Sequence, residues 1–322
     1  MRTRRLGQTG VEVTELGFGG APIGNLYSVV DDETAFDTIA AAWAGGVRYF
    51  DTAPHYGLGL SERRLGAALT GRPRDEYAVS TKVGRLLFSN PVPTGSDLSG
   101  GGFDVFDDLM RVRDYSRDGV LRSLESSMQR LALDRIDVVF VHDPEDYLDE
   151  AIGAAIPALA ELREQGVVRA IGAGMNLVQP LRRIVAETDI DVVMIAGRWT
   201  VLDRSAAELL VDCQMRDVSV VAAAPFNSGL LSNDRPADGA RFDYVSASPA
   251  MVSQARELAA ACHDSNVSLP QAALQFPLLH PAVTCVVAGM RTRDEAARDC
   301  AWMIEQVPES LWSDLVRVGA ST

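Results

Sequence analysis

The sequence predicts one α/β domain, residues 1–322, folded as a (β/α)8 TIM barrel with an N-terminal β-hairpin and long loops over the C-terminal face. Eight short segments are apolar and rich in Val or Ile, as the buried strands of a parallel sheet are. Amphipathic segments of helical length lie between them, as in a chain of strand–helix units. The chain also exceeds the roughly 250 residues that such a barrel needs, which leaves room for the hairpin and the loops.

The predicted elements alternate along the chain. The strands cover residues 16–20, 47–51, 77–82, 136–142, 168–172, 191–195, 219–223 and 283–287. The helices cover residues 34–44, 62–69, 119–131, 151–165, 180–187, 205–215, 251–263 and 294–303. The first helix ends at Gly45 and Gly46, which is a typical helix stop.

A doubly wound sheet is the alternative fold. It usually places a glycine-rich phosphate turn directly after its first strand. Residues 18–22 read Phe-Gly-Gly-Ala-Pro, which lacks the glycine spacing of that turn, and Pro22 stands where the helix would continue. The barrel is therefore the better prediction.

The residues beyond the barrel fall into three segments. Residues 4–13, with Gly7 and Gly10 near the centre, predict a short hairpin ahead of the first strand. Residues 84–118 and 233–249 are long, irregular and rich in Gly and Pro. Because they follow the ends of strands, we expect them to lie over the active face, where long loops commonly serve as lids or substrate loops. The alternative for each is an ordinary mobile insertion.

Composition restricts the possible functions. Acidic residues outnumber basic ones 44 to 30, for a net charge of −14, so nucleic acid is not an expected partner. The four cysteines form no C-x-x-C pair, and we expect neither a disulfide nor a metal site. The sequence has no apolar run long enough for a membrane span, and its start does not resemble a signal peptide, so we expect a cytoplasmic protein.

Lys82 is the only lysine among 30 basic residues. Arginine replaces lysine readily where either residue only carries charge into water. A single remaining lysine indicates a place that needs a compact ammonium group, although it could also survive by chance.

Polar side chains stand at the ends of three predicted strands: Asp51, Lys82 and His142, with Tyr56 in the loop after Asp51. Alone, each has an ordinary explanation as a helix cap, a packed ring or a buried core residue. In a barrel all four would converge on the C-terminal face. There, the ammonium of Lys82 would lower the pKa of Tyr56, Asp51 would hold Lys82, and His142 would orient a substrate oxygen. Together they predict a proton-transfer site.

The segments around these residues resemble the aldo-keto reductases. The matching motifs are 50–57 (Phe-Asp-Thr-Ala-Pro-His-Tyr-Gly), Ser-Glu at 61–62, Ser-Thr-Lys at 80–82 and Val-His at 141–142. The resemblance covers essentially the whole chain. It implies a catalytic tetrad in which Tyr56 donates or accepts the proton, Lys82 and Asp51 tune it, and His142 positions the substrate, while a nicotinamide cofactor carries the hydride.

The same resemblance implies where that cofactor, NAD or NADP, binds. One loop matches the pyrophosphate site and a later segment matches the adenosine site, where Arg291 could pair with a 2′-phosphate or could simply be solvated. The implied cofactor residues are Gly20, Asn176, Arg198, Phe226, Asn227, Ser228, Gly229, Leu230, Gly289, Met290, Arg291, Thr292, Glu295 and Asp299. No metal is implied.

Three segments depart from the common family pattern. Gly174-Met175-Asn176 replaces a Ser-Asn pair, Ala196 stands in place of Gln, and Ala223 stands in place of an aromatic residue. These departures resemble one branch of the family, the D-threo-aldose 1-dehydrogenase, L-fucose dehydrogenase and pyridoxal 4-dehydrogenase branch. Asn176 and Arg198 are the substitutes we expect at the nicotinamide amide. The candidate substrate residues are His55, Arg85 and Trp199, and Trp199 has simple packing as its alternative.

The predicted function is NAD(P)-dependent oxidation of an aldose to its lactone, or interconversion of an aldehyde and an alcohol, with pyridoxal as an alternative substrate. A lyase that uses Lys82 as a Schiff base, and a cofactor-binding regulatory barrel without turnover, are the other possibilities. The expected partner is a small sugar or aldehyde, with the chain a monomer or a weak homo-oligomer.

Overall fold

The computed structural model describes residues 1–319, and its central feature is a closed barrel of eight parallel strands. All strands in chain order are β1 (Thr3–Arg5), β2 (Glu12–Thr14), β3 (Leu16–Gly19), β4 (Tyr49–Asp51), β5 (Ala78–Val83), β6 (Arg85–Ser89), β7 (Leu109–Arg113), β8 (Val138–His142), β9 (Ala170–Met175), β10 (Val192–Ala196), β11 (Ser219–Ala223), β12 (Arg241–Phe242), β13 (Val245–Ser246) and β14 (Val283–Gly289). The barrel runs β3-β4-β5-β8-β9-β10-β11-β14, and β14 pairs with β3 to close it. The predicted fold class is confirmed.

Helices cover the outside of the barrel. They are α1 (Asp32–Ala44), α2 (Leu60–Leu69), α3 (Arg117–Leu131), α4 (Leu148–Glu150), α5 (Ile156–Glu164), α6 (Val178–Glu187), α7 (Ala207–Met215), α8 (Pro249–Asp264), α9 (Leu269–Gln275), α10 (Arg293–Ile304) and α11 (Glu309–Gly319). A π-helical segment, Ala151–Ala155, joins α4 to α5. The eight predicted helices are present, whereas α4, α9 and α11 were not predicted.

Several helices and strands begin or end at residues other than those predicted. The causes are the residues that cap or begin each helix and the pairing of strands within the barrel. Helix α8 starts at Pro249, since Ser248 caps it by accepting a hydrogen bond from Met251 N. Helix α6 starts two residues before Pro180, which occupies its first turn, where the missing N–H costs nothing. Strand β9 extends to Met175, because its partner β10 offers hydrogen bonds up to that residue.

The N-terminal hairpin closes the bottom of the barrel. Leu6, Val11 and Val13 are buried in the same apolar cluster as Tyr49 and Phe140, which point into the barrel interior. Apolar burial there excludes water from the end of the barrel opposite the polar strand ends. The predicted hairpin is therefore confirmed, with β1 and β2 paired from Thr3 to Thr14.

The two long segments are more regular than predicted. Within residues 84–118, strands β6 and β7 form an antiparallel ribbon in which Arg85 pairs with Arg113. Within residues 233–249, β12 and β13 form a short hairpin around Asp243 and Tyr244. Antiparallel ribbons of this kind alternate side chains between two faces. The β6–β7 ribbon therefore turns Arg85, Arg111 and Arg113 to one face.

A buried carboxylate, Asp137, ties the lower part of the barrel together. Its side chain has no exposure to solvent and accepts hydrogen bonds from Val79 N at 2.8 Å and from Arg74 Nη2 at 2.6 Å. Arg169 Nη1 lies 3.4 Å from its other oxygen. Asp137 directly precedes β8, and its carboxylate thus ties this segment to Val79 in β5. The contact lies far from the strand ends that carry Asp51, Lys82 and His142.

We expect Asp137→Ala to destabilise the protein by about 1–3 kcal/mol, because it leaves the buried Val79 N without its acceptor and removes the ionic partner of Arg74. Denaturant unfolding would measure the loss. Asp75→Asn is the matched control, since it removes the carboxylate that pairs with Arg135 on the surface, and it should change the unfolding free energy much less. Equal effects of the two variants would contradict the role assigned to Asp137.

Candidate active site

Asp51 and Lys82 form a buried ion pair at the top of the barrel. Both side chains point inward from adjacent strands, Asp51 from β4 and Lys82 from β5. Lys82 Nζ lies 2.7 Å from Asp51 Oδ2 and donates a second hydrogen bond of 2.9 Å to Thr52 O. Ser80, which the sequence analysis did not single out as a site residue, donates to Asp51 Oδ1 at 2.7 Å and accepts from Tyr49 OH. Both carboxylate oxygens are thereby satisfied.

The ammonium of Lys82 also contacts Tyr56, as predicted. Lys82 Nζ lies 4.6 Å from the centroid of the Tyr56 ring, close enough for its charge to act on the phenol. Burial raises the pKa of Tyr56, and the charge of Lys82 lowers it only in part, so that the pKa stays above its ordinary value. The expectation of a net lowering is therefore wrong for the protein alone. Tyr56 is a protonated phenol at neutral pH.

Lys82 is charged in this setting. Burial lowers the pKa of Lys82, but the neighbouring charge of Asp51 and the contacts with Tyr56 outweigh it, and the pKa is raised. A Schiff base requires a neutral amine as nucleophile. The lyase hypothesis is therefore disfavoured, and Lys82 acts as a fixed cation.

His142 completes the predicted tetrad at the end of β8. Its ring lies 6.0 Å from that of Tyr56, centroid to centroid. Burial, followed by the charges of Arg85 and Lys82, lowers its pKa well below the ordinary value, so the imidazole is neutral. Nδ1 is buried without a partner within residues 1–319, while Nε2 lies 3.5 Å from Asp143 Oδ2, an obligate acceptor. This favours the tautomer that donates from Nε2.

The β6–β7 ribbon and its loop form one wall of the site. Phe103 is buried in that loop and lies 5.2 Å from the ring of His55 and 5.9 Å from that of Tyr56, centroid to centroid. Arg111 forms a bidentate ion pair with Asp97 and donates to His55 O at 2.8 Å. The long loop is thus anchored against Tyr56. His55, predicted as a substrate residue, lies within this wall.

Arg85 lies in the same wall, as predicted, but it is paired. Its Nη2 lies 2.5 Å from Asp143 Oδ2. Asp143 was not predicted, although its position directly after His142 was the available signal. Tyr115, also missed, donates from its hydroxyl to His142 O at 2.7 Å and to Asp143 O at 2.9 Å. It fixes the backbone that presents His142.

The predicted pyrophosphate loop has an unusual backbone. Asn227, Ser228 and Gly229 adopt positive φ angles of 46°, 58° and 101°. Turns of this kind can present polar groups to an anion, but the amides of Asn227, Gly229 and Leu230 already donate to Ala224 O, Phe226 O and Asn227 O. Asn227 is buried, donates to Gly197 O at 3.0 Å, and has an unpartnered Oδ1 within the described chain. The side chain of Leu230 is packed in the core, so only its backbone is available.

The predicted adenosine segment lies between β14 and α10. Thr292 caps α10 by accepting from Glu295 N, and the carboxylate of Glu295 accepts from Arg291 N at 2.7 Å. Asp299 is buried on the same helix, and burial raises its pKa to about 7. The side chain of Met290 is fully buried in the core, so it cannot contact a ligand as predicted except through its backbone.

The guanidinium of Arg291 is engaged by acceptors of the loop after β3 in this structure. Its guanidinium donates to Leu26 O at 3.0 Å, to Ser28 O at 2.8 Å, to Ser28 Oγ at 2.6 Å and to Val29 O at 3.0 Å. The side chain therefore holds the loop after β3 against α10.

Arg198 and Trp199 are also engaged by other residues of the protein. Arg198 donates to Asn176 O and pairs with Asp203 and Asp243, so its donors are occupied. Trp199 donates to Pro277 O and stacks near His280, in the segment that leads into β14. Trp199 is packed against the two apolar clusters of the core, which agrees with the alternative of simple packing given for it.

The β12–β13 hairpin crosses the mouth of the barrel. Tyr244 N donates to Ser228 Oγ at 3.1 Å, Arg241 stacks on the ring of Tyr27 at 4.2 Å, and Asp243 reaches Arg198 at 2.6 Å. Asn176 Nδ2 lies 3.4 Å from Asp243 Oδ1. The hairpin therefore contacts four loops at the C-terminal ends of the strands, those that follow β3, β9, β10 and β11. This agrees with the prediction that residues 233–249 lie over the active face.

Gly20 follows β3 and is needed for close packing. A Cβ atom there would lie 2.6 Å from Ser61 Oγ and 2.7 Å from Asp51 O. Gly289, at the end of β14, has its own steric limit, since a Cβ atom there would lie 3.0 Å from Pro22 Cγ. Both predicted cofactor residues thus shape the barrel rim.

Two further findings concern residues 1–319. No helix in this range is long and apolar enough to cross a membrane. The same range contains no group of three or more His, Cys, Asp or Glu side chains arranged to hold a metal ion.

Comparison with known proteins agrees with this geometry. The chain is 44% identical to D-threo-aldose 1-dehydrogenase from a Pseudomonas species, over 95% of this chain and 94% of that protein. It is 36% identical to pyridoxal 4-dehydrogenase from Microbacterium luteolum, over 97% and 96%. An aldo-keto reductase structure from Bacillus halodurans superposes with a TM-score of 0.80 at 26% identity, covering 100% of this chain and 97% of that one.

The resemblance named from the motifs is confirmed by a family model, which matches residues 15–317. The barrel, the four converging side chains and these relatives agree with one another. The chain is an oxidoreductase that belongs to the aldo/keto reductase family.

Proposed function

We propose that this enzyme oxidises the C1 hydroxyl of a cyclic aldose to the corresponding lactone, with NAD or NADP as hydride acceptor. The observation that carries this proposal is the contact of the buried Asp51–Lys82 pair with Tyr56, beside a neutral His142. The similarity to a D-threo-aldose 1-dehydrogenase supports the choice of substrate class.

The residues divide the reaction between them. His142 donates a hydrogen bond from Nε2 to the reacting oxygen and orients it. Oxidation removes a hydride from C1 and a proton from that hydroxyl, and the phenolate oxygen of Tyr56 receives the proton. Lys82 stabilises the phenolate that must form first, and Asp51 keeps Lys82 charged and in place. In the reverse direction, Tyr56 returns the proton as a phenol.

The chain offers a consistent set of groups for the dinucleotide. The turn of Asn227, Ser228 and Gly229 can present polar groups to a pyrophosphate, and the start of α10 with Thr292 and Glu295 suits the adenosine end. The buried oxygen of Asn227 that lacks a partner in residues 1–319 also points to a missing polar ligand. When bound, the oxidised nicotinamide supplies the hydride acceptor and a positive charge.

NAD is the proposed preference. A 2′-phosphate needs a free cation, whereas Arg291 already donates to the carbonyls of Leu26, Ser28 and Val29. Glu295 and Asp299 add carboxylates to the same segment and would repel a phosphate. The monomeric or weakly homo-oligomeric state and the cytoplasmic location expected from the sequence stay predictions.

Absorbance of reduced nicotinamide tests the proposal directly. Aldoses of different configuration and pyridoxal should each be offered with NAD and with NADP. The proposal requires that an aldose is the best substrate and that the product is a lactone. Turnover of pyridoxal alone would instead favour the function of the Microbacterium relative.

Tyr56→Phe should lower turnover by roughly 10²–10⁴-fold, because the variant loses the group that exchanges the proton while the ring still packs. Steady-state kinetics and fluorescence titration with the reduced cofactor would separate the two effects. Cofactor affinity should remain close to that of the parent. Half the parent turnover, with chemistry shown to be rate-limiting, would rule out the assignment of Tyr56.

Arg291→Ala should weaken the binding of NAD and NADP by similar factors, since the variant releases the loop of residues 26–29 that Arg291 holds. Titration of each reduced cofactor would measure both dissociation constants. A loss confined to NADP, of about 1.5–3 kcal/mol for a charge-assisted contact, would show instead that Arg291 reaches a 2′-phosphate.

A further inference from the structure

An ion pair between Arg85 and Asp143 lies directly beside His142. Asp143 Oδ2 is 2.5 Å from Arg85 Nη2 and 3.5 Å from His142 Nε2. We propose that Asp143, held by Arg85, accepts a hydrogen bond from the C2 hydroxyl of the substrate and so selects neutral sugar rings that carry this hydroxyl. The inference rests on the proposed oxidation at C1. It names Asp143 as the residue that recognises the hydroxyl on the adjacent carbon, C2.

The position of the carboxylate is fixed by its backbone. Asp143 N donates to Gly174 O at 3.0 Å, and Tyr115 OH donates to Asp143 O at 2.9 Å. Asp143 also adopts a left-handed φ of 43°, a conformation that Asp and Asn tolerate better than most other residues with a side chain. The carboxylate is therefore held beside His142 before any substrate arrives.

One oxygen of the carboxylate remains available. Arg85 and His142 both approach Oδ2, and no donor within residues 1–319 reaches Oδ1. The Asp143 side chain is 28% exposed, whereas Arg85 is only 11% exposed. Arg85 thus neutralises Asp143 from the protein side, while the carboxylate faces the opening.

The chemistry of the carboxylate identifies the substrate group. At neutral pH a paired carboxylate only accepts hydrogen bonds, so its ligand must donate. Two oxygens neighbour the C1 hydroxyl of a cyclic aldose: the ring oxygen, which cannot donate, and the C2 hydroxyl, which can. Adjacent hydroxyl oxygens lie about one hydrogen-bond length apart, and Oδ1 belongs to the same carboxylate whose Oδ2 lies 3.5 Å from His142 Nε2. His142 can therefore bind the C1 oxygen while Asp143 binds the C2 hydroxyl.

The charges around this position favour a neutral ligand. Arg111 pairs with Asp97 at 2.7 Å, and Arg113 pairs with Asp146 at 3.0 Å, so each arginine of the inner face of the β6–β7 ribbon has a carboxylate partner. A phosphate ester needs unpaired cations. The site should therefore take free sugars and reject their phosphates.

The test compares three substrates: the best aldose, its analogue without the C2 hydroxyl, and its terminal phosphate ester. The parent should prefer the aldose to the deoxy analogue by about 10- to 100-fold in kcat/KM, the value of one hydrogen bond to a charged acceptor. Asp143→Asn, which tolerates the left-handed backbone, should remove most of this preference by lowering kcat/KM for the aldose far more than for the analogue. The phosphate ester should be the poorest substrate of the parent.

Asp146→Asn is the matched control, because it also removes a carboxylate from an arginine of the ribbon but lies at the exposed rim. It should leave the preference unchanged. If Asp143→Asn fails to fold because Arg85 is left unpaired, the double variant Arg85→Gln, Asp143→Asn removes both charges and is expected to lose the preference in the same way.

Three results would overturn the inference: equal use of the aldose and the deoxy analogue by the parent, equal losses for both in the Asp143 variants, or efficient use of the phosphate ester. These results are distinct from a failure of the proposed function, in which the parent would oxidise no aldose at all.

Discussion

The site depends on one buried ion pair, between Asp51 and Lys82. Burying two charges costs several kcal/mol per ion unless each finds hydrogen-bond partners as well as the opposite charge. Here Ser80 and Thr52 O supply those partners, and the pairing of β4 with β5 brings the two side chains to the same level of the barrel. The arrangement keeps a cation, permanently and without water, against the phenol of Tyr56.

The two long segments, residues 84–118 and 233–249, cover the site in which Lys82 acts on Tyr56. Phe103 from the first segment packs against Tyr56 and His55, and the β12–β13 hairpin of the second crosses the mouth near Ser228. Excluding water strengthens the interaction between Lys82 and the hydroxyl of Tyr56. Burial also raises the pKa of the phenol, so the oxidation we propose needs a further positive charge, which the oxidised cofactor would supply.

The sequence predicted the barrel and the tetrad because both leave local signals. Buried parallel strands are apolar runs, and Asp51, Lys82 and His142 each stand at the end of one. It could not predict which donors would be occupied. Arg198 and Arg291 look like ligand residues in the sequence, yet Asp243 and the carbonyls of residues 26–29, distant along the chain, satisfy them. The β6–β7 ribbon was missed for a related reason, since its apolar residues become ordered only by pairing across the 19 residues between Ser89 and Leu109.

The most direct test of the central claim is the pH–rate profile for aldose oxidation by the parent, Lys82→Met and Lys82→Arg. Oxidation requires the phenolate, so the rate should rise with pH, and Lys82→Met should shift this rise to higher pH because Tyr56 loses its cation. Lys82→Arg should keep the charge but misplace Tyr56, and a displacement of about 1 Å can cost on the order of 10²-fold in rate. Near-parent turnover with an unchanged profile in either variant would contradict the account.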